Sequence, residues 1–94
     1  MDIALRNLVE ACDTNEAGDI VRLAIVEGMN SSSKVNLDFT GITSVTSSFV
    51  NSALIALMSN YDVRAIKYRV EVSHANRQIG NMIRDRFRSE EARL

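Results

Sequence analysis

Apolar residues alternate with polar ones at three places along the chain, and between those places they recur at three- and four-residue spacing. Ile3 and Leu5 alternate with Asp2, Ala4 and Arg6, the pattern of a short first strand. Residues 7–12 connect it to a helix, with Leu8 and Val9 turned inward. Asp13 and Glu16 stand at capping-box spacing, and Thr14 is an alternative cap one residue on; the sequence does not decide between them. Ala17, Ile20, Val21, Ala24 and Ile25 then make one apolar helical face. Gly28 or Asn30 ends that helix, since both tolerate left-handed backbone. Val35, Leu37 and Phe39 alternate with Asn36 and Asp38 and predict the central strand.

A Thr40-Gly41 turn follows, and the polar cluster Thr46-Ser47-Ser48 opens a second helix with Thr46 or Ser47 as its N-cap. Val50, Ala53, Leu54, Leu57, Met58 and Tyr61 form one stripe, while Phe49, Ile55 and Ala56 fall outside it. This helix is thus apolar over most of its circumference. Ile66, Tyr68, Val70 and Val72 alternate with Lys67, Arg69 and Glu71, which predicts a third strand with one buried and one wet face. Residues 73–76 read as a loop, and Asn76 as the cap of a last helix that buries Ile79, Met82, Ile83 and Phe87. Arg77, Arg84, Asp85 and Arg88 face water on that helix, and the charged tail from Arg88 is expected to fray. Strand and helix alternate three times. The fold class is therefore α/β: one domain over residues 1–94, β-α-β-α-β-α, a small mainly parallel or mixed sheet with helices mostly on one face.

Ninety-four residues support one modest core and leave little room for a deep cleft. A formal net charge of −1 favours neither nucleic acid nor an anionic membrane as partner. The single cysteine, Cys12, forms no internal disulfide, and the N-terminus lacks the basic and apolar regions of a signal peptide. No apolar run approaches the roughly 20 residues of a membrane span. The expectation is a cytoplasmic protein.

Chemistry-bearing residues are few. His74 and Cys12 fall short of the four ligands of a structural zinc site. A triad can be drawn from Ser47, His74 and Asp38, but no nucleophile-elbow pattern accompanies it. No Gly-rich phosphate loop is present. Asp38 ends the central strand where open α/β sheets bind ligands; an Asp there more often fixes the following turn, here with Gly41, by bonding backbone N–H groups. The arginines of the last helix are interleaved with Asp85, Glu90 and Glu91, as on a solvated face. The expectation is no enzyme, no metal and no cofactor.

Within the stretch from Val35 to Leu57, the run Val-Asn-Leu-Asp-Phe-Thr-Gly-Ile-Thr-Ser-Val-Thr-Ser-Ser-Phe-Val-Asn-Ser-Ala-Leu, which ends at Leu54, resembles the core motif of the STAS-like domain family of unknown function. Ala11-Cys12-Asp13-Thr14 and the stretch from Val72 to Ile83 resemble the same family. More distantly, it is similar to STAS domains of bacterial anti-sigma-factor antagonists. Those bind an ATP-dependent kinase that is also an anti-sigma factor and are phosphorylated on a serine opening the second helix. On their Asp-Ser-Ser/Thr-Gly-Leu motif, Thr46 stands at the Asp, Ser47 at the phosphorylated Ser, Phe49 at the Gly and Val50 at the Leu. The resemblance implies a regulatory protein-binding module with Ser47 and Ser48 as candidate phosphorylation sites. It also implies a partner surface of Ser47, Ser48, Asn51, Ile55 and Ser59, the last three on the exposed side of the helix. A small-ligand or nucleotide sensor using the turn after Asp38, and a homodimer or larger homo-oligomer built on the second helix, are the alternatives.

Overall fold

Three short strands, β1 (Asp2–Ala4), β2 (Val35–Asp38) and β3 (Val70–Ser73), form a parallel sheet in that order. They belong to a computed structural model that describes residues 1–93. The register aligns Ile3 with Leu37 and Val72, and Val35 with Val70. Side chains alternate across a strand, so these five apolar residues share one face, and Asp2, Asn36, Asp38, Glu71 and Ser73 share the other. Four helices cover the apolar face: α1 (Asn15–Ser31), α2 (Ser47–Ala53), α3 (Val63–Arg69) and α4 (Arg77–Glu91). Val21, Ile25, Phe49, Val50, Ile66 and Ile79 from these helices join Val35, Leu37 and Phe39 in one buried core. The polar face carries its own hydrogen bond, Asn36 Nδ2 to Ser73 Oγ at 2.9 Å.

The first helix settles its cap on Thr14, whose Oγ1 accepts from the Ala17 N–H at 3.0 Å, and not on Asp13. Ala17, Val21, Ile25 and Met29 bury at four-residue spacing. Ile20, expected on that face, is 47% exposed, and Leu23 is also exposed, because a sheet only three strands wide leaves the flank of α1 uncovered. Neither Gly28 nor Asn30 stops the helix, which runs to Ser31. Its last turn has no basic residue of its own; Arg69, from the end of α3, donates instead to the carbonyls of Met29, Ser32 and Ser33. One guanidinium thus satisfies the Met29 carbonyl, one of those the helix end leaves open, together with the carbonyls of the C-cap Ser32 and of Ser33 just beyond it.

Two expectations fail between residues 54 and 69. The second helix stops at Ala53, and the chain tightens into a 3₁₀ turn over Ile55–Ser59. At three residues per turn Leu54 and Leu57 stand one above the other, and both are buried in the core. The strand expected over residues 66–72 is mostly helix: α3 occupies Val63–Arg69, and only Val70–Ser73 is extended. The alternation of 66, 68, 70 and 72 concealed a helical set, Val63, Ile66 and Val70, preceded by Asp62, whose Oδ2 caps the Arg64 N–H at 3.2 Å. Tyr68 consequently faces solvent, with Lys34 Nζ 4.6 Å from its ring centroid.

Candidate functional site

The chain between β2 and α2 is held from three directions. Gly41 turns with φ +83°, in the left-handed region that favours glycine, and its carbonyl accepts from Arg6 Nη1 at 2.9 Å. From the start of α4, Asn76 Nδ2 donates to the Thr43 carbonyl at 2.7 Å. Gln78 brackets Val45 with both ends of its amide: Oε1 accepts from the Val45 N–H at 3.0 Å and Nε2 donates to its carbonyl at 2.9 Å. From before α1, Cys12 forms a parallel bridge with Val45, and its carbonyl accepts from the Thr46 N–H at 3.2 Å. Ile42 and Val45 are buried, so the loop is anchored in the core while Thr43 and Ser44 stay exposed. The hold of Arg6, Asn76 and Gln78 on this loop escaped the sequence reading because each lies more than 30 residues from the group it holds.

This framing delivers a defined start to α2. Thr46 is the N-cap, its Oγ1 accepting from the Phe49 N–H at 3.2 Å. Ser47 and Ser48 are therefore the first helical residues and not the cap. Both are exposed, and among the described residues neither hydroxyl takes a protein hydrogen bond. Asn51 lies one turn beyond Ser47, exposed, with its Oδ1 accepting from Arg86 Nε at 2.7 Å. Ile55 and Ser59 do not continue this stripe, because the helix has ended. Ile55 is half-buried against the core, contrary to its expected exposure, and Ser59 is exposed at the end of the 3₁₀ turn. The surface the structure brings together is thus Ser47, Ser48 and Asn51, with exposed Thr43 and Ser44 in the preceding loop.

Asp38 sits beside this loop. Its Oδ1 accepts from the Thr40 N–H at 2.9 Å and from the Thr40 hydroxyl at 2.6 Å. The same oxygen accepts from His74, whose Nδ1 lies 3.0 Å away; a carboxylate only accepts, so that nitrogen carries the proton. His74 is exposed and takes left-handed backbone, φ 57°. Two members of the triad drawn from the sequence do meet, but among the described residues no serine hydroxyl hydrogen-bonds to the ring. The Thr40 hydroxyl, its N–H and then the imidazole hold the Asp38 carboxyl below the usual aspartate range. A group whose folded pKa is depressed favours the fold above its unfolded value of about 3.9, and that contribution is lost as pH falls through the folded value. A carbon-13 titration of the side-chain carboxyl is expected to show the Asp38 midpoint below that of an aspartate peptide. Thr40→Val should move it upward, and an unmoved midpoint would show that the Thr40 hydroxyl is not its cause.

Among the described residues no helix is long and apolar enough to cross a membrane. No curated protein and no solved structure matches the chain. A family model described as a STAS-like domain of unknown function does match, over residues 17–79. That span takes in β2, the anchored loop, the serine-bearing helix, the whole of β3 and the start of α4. With two thirds of the sequence matched, and a one-sided parallel sheet of the expected kind, the chain belongs to the STAS-like domain family of unknown function.

Proposed function

We propose that this chain is a non-enzymatic regulatory module that binds a partner protein through the start of α2, and that phosphorylation of Ser47 or Ser48 controls the contact. The partner is an ATP-binding regulator of the anti-sigma kinase kind, in line with the distant similarity to anti-sigma-factor antagonists. One observation carries the reading. The capping task at this helix belongs to Thr46, so the two serines beside it are exposed and hold nothing in place. Their backbone is rigidly presented while their hydroxyls remain available. A phosphate there adds about −1.5 to −2 charges to a neutral polar surface. Such a change alters a docked partner far more than it alters the fold.

The test is affinity capture from the native host with the wild-type chain, Ser47→Ala and Ser47→Asp, followed by mass spectrometry of both bait and prey. Recovery of an ATP-binding protein by wild type and Ser47→Ala, about tenfold weaker with Ser47→Asp, is the expected outcome. Phosphate should map to Ser47 or Ser48 after incubation of the complex with ATP. Capture indifferent to Ser47→Asp and to Ser48→Asp would remove the switch, and capture indifferent to Asn51→Arg as well would remove the surface.

A further inference from the structure

Helix α4 runs alongside α2 in the same direction. Near its start Gln78 holds Val45, two residues before Ser47. Further on, Arg86 Nε donates to Asn51 Oδ1 at 2.7 Å, four residues after Ser47. Gln78, Met82 and Arg86 recur every four residues and so share the side of α4 that meets α2. Ser47 falls between the two contacts. It also shares a side of α2 with Asn51, at a spacing that leaves about 5–6 Å between Cβ atoms. Ser48 stands on the other side of Asn51, in line with Ser52. That line faces α1: Ser52 Oγ donates to Asn15 Oδ1 at 2.9 Å. The two serines are alike in type and exposure, but Ser47 is the one on the Arg86 side.

The neighbours of Arg86 do not cancel its charge. Its Nη2 donates to Glu90 Oε2 at 3.2 Å, and Arg93 Nη1 takes the same oxygen at 3.4 Å, so two guanidiniums share one carboxylate. The remaining contact of Arg86 is the neutral Asn51 amide. Arg86 is half-buried, so water screens this charge less than at an open surface. Of the other acids on α4, Glu91 is turned to Lys67, and Asp85 is exposed, where water screens its repulsion. On the Ser48 side, Arg22 bonds the Ser52 carbonyl and is matched one to one by Asp19, at 2.8 Å.

We propose that, in the phosphoswitch at the start of α2 on which this inference rests, Ser47 is the acceptor and Arg86 the residue that reads its phosphate. In the transfer, Ser47 Oγ bonds to the γ-phosphorus of ATP, the bond from that phosphorus to the β,γ-bridging oxygen breaks, ADP leaves, and the hydroxyl proton passes to solvent. The phosphate brings about −1.5 to −2 charges and three acceptor oxygens. The guanidinium then leaves the Asn51 oxygen for the phosphate, because a hydrogen bond between two charged groups is roughly twice as strong as a neutral one. Glu90 keeps Arg93. The start of α2 is thereby fastened to α4, and the Asn51 side chain is released into the partner surface. The counterpart of the phosphate is this guanidinium and not the end of a seven-residue helix.

The test uses the full chain with phosphoserine installed chemically at position 47 or at position 48, so no kinase is needed. Phosphorus-31 titration should place the second ionisation of phospho-Ser47 about one pH unit below that of phospho-Ser48, since a cation beside the dianion favours it. Arg86→Gln should bring the two midpoints together. Nitrogen-15 spectra should show the Arg86 Nε–H and Asn51 side-chain signals moving with phosphate on Ser47 and staying in place with phosphate on Ser48. This second readout needs no variant, so it stands however Arg86→Gln folds. Equal midpoints, a difference that survives Arg86→Gln, or an Arg86 signal indifferent to phospho-Ser47 would each overturn the assignment. Equal midpoints with partner capture still weakened by Ser47→Asp would sink the Arg86 latch and keep the switch. A lowered midpoint with capture indifferent to Ser47→Asp would uphold the latch and sink the switch.

Discussion

Phe49→Ala is expected to destabilise the protein by about 3–5 kcal/mol, the range for removing a large aromatic side chain from a packed core. Phe49 is 1% exposed, near the start of the helix that carries the exposed serines. A domain of this size commands only about 5–15 kcal/mol in all, so much of the stability would be lost. The backbone role of the residue survives the change, because Thr46 still caps its N–H. The loss therefore reports the cavity and not the helix start. Urea unfolding should show a lower midpoint with an unchanged slope. A shift of under 1 kcal/mol would mean that the ring does not fill the space described.

Gly18→Val should cost about 3 kcal/mol, by the opposite error of overpacking. A Cβ at Gly18 would lie 2.6 Å from Ser52 Cβ and 2.8 Å from the Phe49 carbonyl oxygen. Neither is the free end of a flexible side chain, so α1 and α2 must move apart. That movement breaks contacts made elsewhere along the pair, including Arg22 Nη1 to the Ser52 carbonyl and Ser52 Oγ to Asn15 Oδ1. Gly80→Ala is the internal control, with the reverse sign: its new methyl group meets nothing, and helix propensity alone favours it by up to about 1 kcal/mol. Thermal unfolding of both variants checks the pair. Equal responses would show that the α1–α2 contact is looser than the geometry implies.

These contacts mark where sequence reading succeeds and where it stops. The strand Val35–Asp38, the Asn76 cap and the burial of Ile79 and Phe87 in α4 follow from local periodicity and cap chemistry, and all three stand, while Met82 and Ile83 are only half-buried. The stretch from Val63 to Ser73 misled because Ile66 and Val70 satisfy both a period of two and a spacing of four, and only packing chooses between them. Ile20 misled because a helical face tells which residues are apolar, not how much of the face a narrow sheet can cover. At the candidate site, the serines were legible as a polar cluster opening a helix. Their freedom from the capping task was not, since Thr46 and Ser47 are equally good caps by composition. The clamp of Arg6, Asn76 and Gln78 leaves no local signature at all.

The parallel register, in which Asp2 meets Asn36 and Val35 meets Val70, also governs how the chain reaches this state. No two strands are neighbours in sequence, so no hairpin is available to seed the sheet. Each ladder forms only after an intervening helix has collapsed and a long segment has given up its loop-closure entropy. High contact order of this kind places folding on the order of milliseconds or slower, well behind a helical bundle of equal length. During that interval strand edges stand bare, and assembly on the ribosome ends only once the last of the three has emerged.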